Sequence, residues 1–322
     1  MNIWRNPGFW IVLLVVAVGV TVPVLSGNAS TRETMFTVLV SVALASSLNI
    51  LLGYTGYVSF GHIVFFGLGG YIGFYAIDVL SWNLLPATLA GGLAAGLLAL
   101  LLGMSILRLR GAYFALATIG INEAMKAFVN NFAPFGGPTG MELNFSVYRS
   151  YGGPGQMLWI VYWGVAALTF MAVITSYLVK RSKFGLGLMA IREDEDAAEV
   201  IGVVAPRAKT NAYVLSAVFP GMVGALYFFK QGIIEPGTAF RLHASIELLV
   251  MVMLGGQGTV LGPILGAGIY QRLRGLLVTN PFFRDIQLAV AGVMLLAIVL
   301  FMPGGVIGWL RARSATLRRY LE

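Results

Sequence analysis

Between Thr34 and Ile77 the chain runs for 44 residues without one Asp, Glu, Lys or Arg. A helix that crosses a bilayer needs about 20 mostly apolar residues, so this run is long enough for two crossings. Other charge-free runs cover 6–31, 79–107, 150–179, 210–229, 248–271 and 286–310. The average composition agrees: 58% of residues are apolar, 11% are charged and the mean hydropathy is +0.84. An ordinary soluble domain is about 25% charged. This chain has too little polar surface to cover a soluble globule, which excludes a soluble enzyme, a disordered regulator and a nucleic-acid binder. The net charge of +8 is then a topology signal rather than an attraction to phosphate.

The spacing predicts an all-α integral membrane protein with about ten spans (eight to ten), some interrupted by glycine-rich breaks. The proposed spans are 9–26, 34–52, 61–80, 84–107, 112–131, 157–179, 210–230, 244–256, 262–278 and 286–304, with the eighth too short to cross alone. They form a single membrane-spanning unit over 1–322. The first span is read as retained rather than as a cleaved signal, because its apolar run exceeds the usual signal core. Ten spans put both termini on one side. Lys and Arg then number 13 on that side and 8 on the other, which makes the termini cytoplasmic. Arg272, Arg274 and Arg284 oppose this count. Glycines four apart, at 69 and 73, 92 and 96, 262 and 266, 304 and 308, predict close helix packing in lipid.

Residues 180–209 form the one long, highly charged loop, with six basic and five acidic residues. A helix starting near Asp194 places Glu195, Asp196 and Glu199 in its first turns, where the helix dipole favours acids. Ala197, Ala198 and Ile201 then make a small apolar stripe, and Pro206 stops the helix. A plain connector needs only a few residues, so this loop reads as a short helix that docks on a soluble partner.

The segment Asp196-Ala197-Ala198-x-x-x-Gly202 resembles the EAA motif of ABC-importer permeases, with Asp in place of Glu. Arg181 to Gly185 (RSKFG) and Ala190 to Glu195 (AIREDE) are similar to the loop of branched-chain amino acid permeases of LivM type. Four further segments match the same family in order: GYTGYVSFGH at 53–62, LRLRGAYF at 107–114, GGPTG at 136–140 and GGQGTVLGPILGA at 255–267. Lys183 stands where the family usually has Pro, and Leu186 and Met189 where basic residues are frequent. The resemblance covers about 35–305. It implies a permease subunit for branched-chain amino acids in the bacterial inner membrane, with 180–209 as its cytoplasmic coupling loop. Arg192, Glu193, Asp196, Ala197, Ala198 and Gly202 are then the ATPase-coupling residues. It also implies a second related permease subunit, two cytoplasmic ATPase subunits that bind ATP and magnesium, and a periplasmic substrate-binding protein. Sister permeases with similar motifs import urea and short amides.

No phosphate-binding loop, no His-Glu-x-x-His motif and no cysteine occurs, so no catalytic centre, resident cofactor or metal site is expected in this chain. Path candidates lie at the helix break. Glycines at 53, 56 and 61 interrupt a helix, and an interrupted helix can offer free N–H groups to a substrate carboxylate. Tyr54, Thr55, Tyr57, Ser59 and His62 add polar groups there. A tight turn between two helices explains the same residues. Asn122 and Glu123, in span five, are the other path candidates. Intramembrane charges are often functional, but Glu123 and Lys126 at i and i+3 suit a local ion pair better. An ion-coupled secondary transporter is the rival reading, and it leaves the loop at 180–209 unexplained.

Overall fold

The computed structural model describes residues 7–279 and 304–313, together with positions 289, 292, 293, 296, 301 and 302. Its elements are α1 (Pro7–Ser26), α2 (Ala29–Thr55), α3 (Ile63–Asp78), α4 (Leu84–Ile106), α5 (Ala112–Asn130), the short α6 (Ser146–Arg149), α7 (Pro154–Arg181), α8 (Lys183–Glu193), α9 (Glu195–Val200), α10 (Ala205–Gln231), α11 (Pro236–Ala239), α12 (Leu242–Gly255), α13 (Leu261–Thr279) and α14 (Gly305–Arg313). The protein is an all-α membrane protein. Each of the first nine proposed spans has its helix, with ends shifted by a few residues. The tenth, 286–304, and Arg284 lie largely or wholly outside the described residues. Among the described residues, five stretches are long and apolar enough to cross a bilayer: α2, α4, α7, α10 and Pro236–Gly255. α3, at 16 residues, is a shorter apolar helix.

α2 is the axis of the bundle. Every residue from Leu39 to Thr55 is buried, as expected of a helix that is apolar on all sides. Three of its hydroxyls bond locally, Ser41 to Thr37 O, Ser47 to Leu44 O and Thr55 to Leu51 O, whereas Ser46 Oγ is buried with no partner among the described residues. α7, α10, α12 and α13 pack around it. α4 lies at the edge. Its leucines 85, 89, 93, 97 and 101 repeat every four residues and are all exposed, so they present a lipid-facing stripe.

The glycine spacing does close-pack the helices. A Cβ on Gly69 would run into the backbone of Gly221, and one on Gly91 would lie 2.6 Å from Gly69 O. α3, α4 and α10 therefore meet backbone to backbone. Gly73 and Gly92 face Ala225 and Met222 in the same three-helix seam, while Gly262 and Gly266 bring α13 against the end of α12. Among the described residues a Cβ on Gly304 would meet only Gly308 and one on Gly308 nothing, while Gly304 O lies 2.8 Å from where a Cβ on Gly256 would stand.

Outside the long helices, a two-stranded antiparallel ladder joins β1 (Met141–Glu142) to β2 (Ile233–Ile234), pairing Met141 with Ile234. The 136–140 motif lies just before β1. Gly136, Gly137 and Gly140 all have positive φ, and a Cβ on Gly140 would meet Ile234 O. This corner thus ties the segment after α5 to the end of α10.

Candidate functional site

The C-terminal ends of α2, α4 and α7, the start of α10 and the α12–α13 turn converge on the charged loop. Ser182 ends α7 and caps α8, its Oγ accepting from Gly185 N at 3.0 Å. Asp194 then adopts an extended conformation and caps α9, its Oδ1 accepting from the amides of Asp196 (2.9 Å) and Ala197 (3.0 Å). The cap fixes the start of the helix, which runs only over Glu195–Val200 and ends at the Ile201 cap. Gly202, at φ +93°, turns the chain. Pro206 does not stop a helix. It stands in the first turn of α10, where a missing N–H costs nothing.

Two faces of the loop differ. Ala198 is buried against Ile191 and Ala205. Ile201, expected on that stripe, instead points outward with Val200 and Val204, at 73%, 87% and 56% exposure. Ala197 and Leu186 are exposed as well. Val200, Ile201 and Val204 thus form an uncovered apolar cluster within a charged loop.

The inner face is held by ions. The Lys209 side chain is 3% exposed. Its Nζ donates to Glu195 Oε1 (2.6 Å), Leu107 O (2.8 Å) and Tyr57 Oη (2.9 Å). Tyr57 in turn donates to Glu195 Oε2 at 2.9 Å. All three ammonium hydrogens thus have acceptors, which a buried lysine requires. Arg110 reaches Asp196 with two bonds, at 2.9 and 3.3 Å, and Glu195 at 3.5 Å. The bond from Arg110 holds the Asp196 carboxyl below the usual aspartate range, and the same contact raises Arg110. Burial, then Glu195, pushes the Tyr57 phenol up. A second tether runs from Arg192, whose Nη1 donates to Gly53 O at 3.0 Å while Nη2 meets Glu193 at 2.7 Å. Gly258 packs on the same carbonyl and gives its N–H to Asn49 Oδ1 at 2.9 Å.

Of the expected coupling residues, Arg192 and Asp196 bind other elements. Glu193 supports Arg192, Ala198 seats the helix, and Ala197 and Gly202 face outward. Sequence reasoning missed Glu195, Arg110 and Lys209 as partners, and placed Tyr57 only among polar groups of the break. A lysine four residues into an apolar helix was the available signal for Lys209.

The break itself falls at 56–62 rather than 53–61, since Gly56, at φ +76°, caps α2. Several amides at and beside the break have partners. Tyr57 N donates to Thr55 Oγ1, Phe60 N to Thr118 Oγ1 (3.0 Å) and Ile63 N to Ser245 Oγ (3.3 Å). Tyr54 is fully buried and bound to Ser176 at 2.9 Å. Thr55 bonds its own helix, Ser59 is buried, and His62 lies 3.4 Å from Ser47 Oγ. Asn122 donates to Phe240 O at 3.0 Å. Glu123 lies on the exposed face of α5 with Tyr113, Leu116 and Phe128. No ion pair joins it to Lys126 among the described residues. No cluster of metal-binding side chains occurs among them either.

Residues 30–299 match the family model of the branched-chain amino acid transport system permease component. The chain belongs to this family. Among curated relatives of this permease, the high-affinity branched-chain amino acid transport system permease protein LivM of Escherichia coli K12 is 28% identical, over 93% of this chain and 74% of its own length. LivH of the same organism is 24% identical, over 82% and 90%. The autoinducer 2 import system permease protein LsrC of Yersinia enterocolitica is 21% identical, over 90% and 72%. No solved structure matches the permease.

Proposed function

We propose that the chain is the permease subunit of an ATP-driven ABC importer that moves leucine, isoleucine and valine across the bacterial inner membrane. The observation that carries this reading is the two-faced loop. Its outer face offers Val200, Ile201 and Val204 to a soluble partner, and its inner face is ion-locked to three transmembrane helix ends. A push on α9 would reach Tyr57 and Lys209 through Glu195, and α2 through Arg192. Packed, discretely bonded elements transmit such a displacement as a rigid body. The partner on the outer face would be a cytoplasmic ATPase, one of two, holding ATP and magnesium. Both termini would share its side of the membrane.

Glu123 gives the path. A carboxylate on a lipid-exposed helix face is costly, so this face of α5 would be covered by the second related permease, with substrate passing between the two. Asn122 would hold α5 in place behind it. Tyr54, Thr55, Ser59 and His62 would serve as the hinge of the α2–α3 break. A periplasmic binding protein would deliver the cargo.

Proteoliposomes holding the full complex test this. Leucine uptake should require both ATP and the binding protein. Val200→Asp and Ile201→Asp should abolish uptake and release the ATPases from the purified complex without disturbing the exposed loop's fold. Uptake driven by an ion gradient alone would overturn the reading. A panel of leucine, isoleucine, valine, urea and short amides identifies the cargo.

A further inference from the structure

At the end of the bundle away from the charged loop lies a cavity of about 230 Å³. It is bounded by α2, α3, α10, α12 and α13, and the α2 residues that line it, Thr37, Val40, Ser41 and Leu44, fall on one helix face. Its walls combine two kinds of chemistry. Val40, Leu44, Leu248 and Met251 make an apolar floor, whereas Arg241, Arg274 and Glu247 bring three charges to the same space. Glu247 Oε2 meets Arg274 at 3.1 Å, and Gln271 donates to Ser41 Oγ at 2.6 Å. Arg241 stands exposed at the rim, just before α12, and no acidic side chain pairs with it among the described residues. The lining therefore carries one positive charge in excess, with a carboxylate beside it.

A carboxylate complements Arg241, and Glu247, paired with Arg274 through Oε2, has its other carboxylate oxygen to offer an ammonium. The floor asks for a compact aliphatic group. The size is below the roughly 300–1,000 Å³ of sites for drug-sized ligands. We propose that this cavity is a subsite for a zwitterionic α-amino acid with a branched apolar side chain. Its carboxylate rests on Arg241, its ammonium on Glu247 and its side chain against Val40, Leu44, Leu248 and Met251. The assignment rests on the importer reading for its orientation, since it places a receiving site on the side from which the binding protein delivers. It goes beyond that reading, because a permease that only gates a path between two subunits needs no such site within one of them.

The test uses the full transporter complex in phosphatidylglycerol nanodiscs, without binding protein or nucleotide. Radiolabelled leucine binding is measured and competed with isopentylamine, which lacks the carboxylate, and 4-methylpentanoate, which lacks the ammonium. Leucine should bind saturably, and each analogue should compete at least about tenfold more weakly, a difference of about 1.4 kcal/mol. Arg241→Gln should weaken leucine about tenfold and leave isopentylamine unchanged. Leu44→Trp should fill the cavity and block binding, and Met251→Trp checks this if the first variant misfolds. Absence of saturable binding, equal binding of the analogues, or binding indifferent to Arg241→Gln and the Trp variants would each overturn the subsite. So would leucine binding that appears only after lipid is stripped, which would give the cavity to a lipid headgroup. Uptake with ATP and the binding protein is measured in parallel. Normal uptake without this binding defeats the subsite alone, whereas uptake independent of ATP defeats the importer reading.

Discussion

Lys209 shows how a charge survives at the edge of an apolar bundle. Its three donors meet Glu195, Tyr57 and a main-chain carbonyl, and the Tyr57 ring lies 4.8 Å from its Nζ. Removing one partner leaves the other ion buried and unmatched, which costs about 3–5 kcal/mol. Lys209→Met and Glu195→Gln should therefore each lower the melting temperature of the purified complex, and the double variant should recover most of the loss. Uptake per ATP hydrolysed should stay low in the double variant, because the link is gone although the fold is repaired. Asp196 makes a separate, pH-dependent contribution. Its carboxyl is lowered by Arg110, so the contact is fully present above the ordinary aspartate value of about 3.9 and is lost only as pH falls through the lowered value. ATPase retention by the complex should be flat from pH 6 to 8, and Asp196→Asn should weaken it across that whole window.

At the scale of elements, the bundle's seams depend on the absence of side chains. Gly69→Val would push α3 away from α10 and Gly221→Val would push α10 away from α4, since either Cβ collides with facing backbone. Both should give a complex that unfolds at lower temperature in detergent, measured by tryptophan fluorescence. Gly202 works differently. There is open space around it, but φ is +93°, a conformation that costs an L-residue about 1–2 kcal/mol. Gly202→Ala should loosen α9 without a clash, seen as faster amide exchange at residues 195–201. Most of the membrane helices were legible from charge-free runs, because lipid leaves few alternatives to a helix. The loop's inner clamp was not. Its members lie at 57, 110, 195 and 209, and no periodicity connects positions that only tertiary folding brings together. Of the stripe at Ala197, Ala198 and Ile201 only Ala198 is buried, because Ile201 is the C-terminal cap and Gly202, at φ +93°, turns the chain there, so Ile201 stands at the helix end rather than on its packed face.

For the whole molecule, two surfaces stand uncovered among the described residues: the apolar face of α9 and the face of α5 that carries Glu123. In an assembled transporter both should be covered. A cysteine at position 123, introduced by Glu123→Cys, should cross-link to the second permease in membranes, whereas Leu93→Cys on the lipid stripe of α4 should not. A cross-link at 93 with none at 123 would place the partner on the other side of the bundle.

The burial of α2 has a consequence for synthesis. Asn49 sits in the last third of that helix, and among the described residues its side chain finds its partners at Gly258 and Thr259, 209 and 210 residues further along the chain. At about 5–20 residues per second, the ribosome makes that turn roughly 10–40 s after Asn49. For that interval the Asn49 amide lacks the two partners it has in the folded chain. Newborn α2 must therefore be sheltered, by the insertion machinery or by water at the helix end, until α12 and α13 arrive to enclose it.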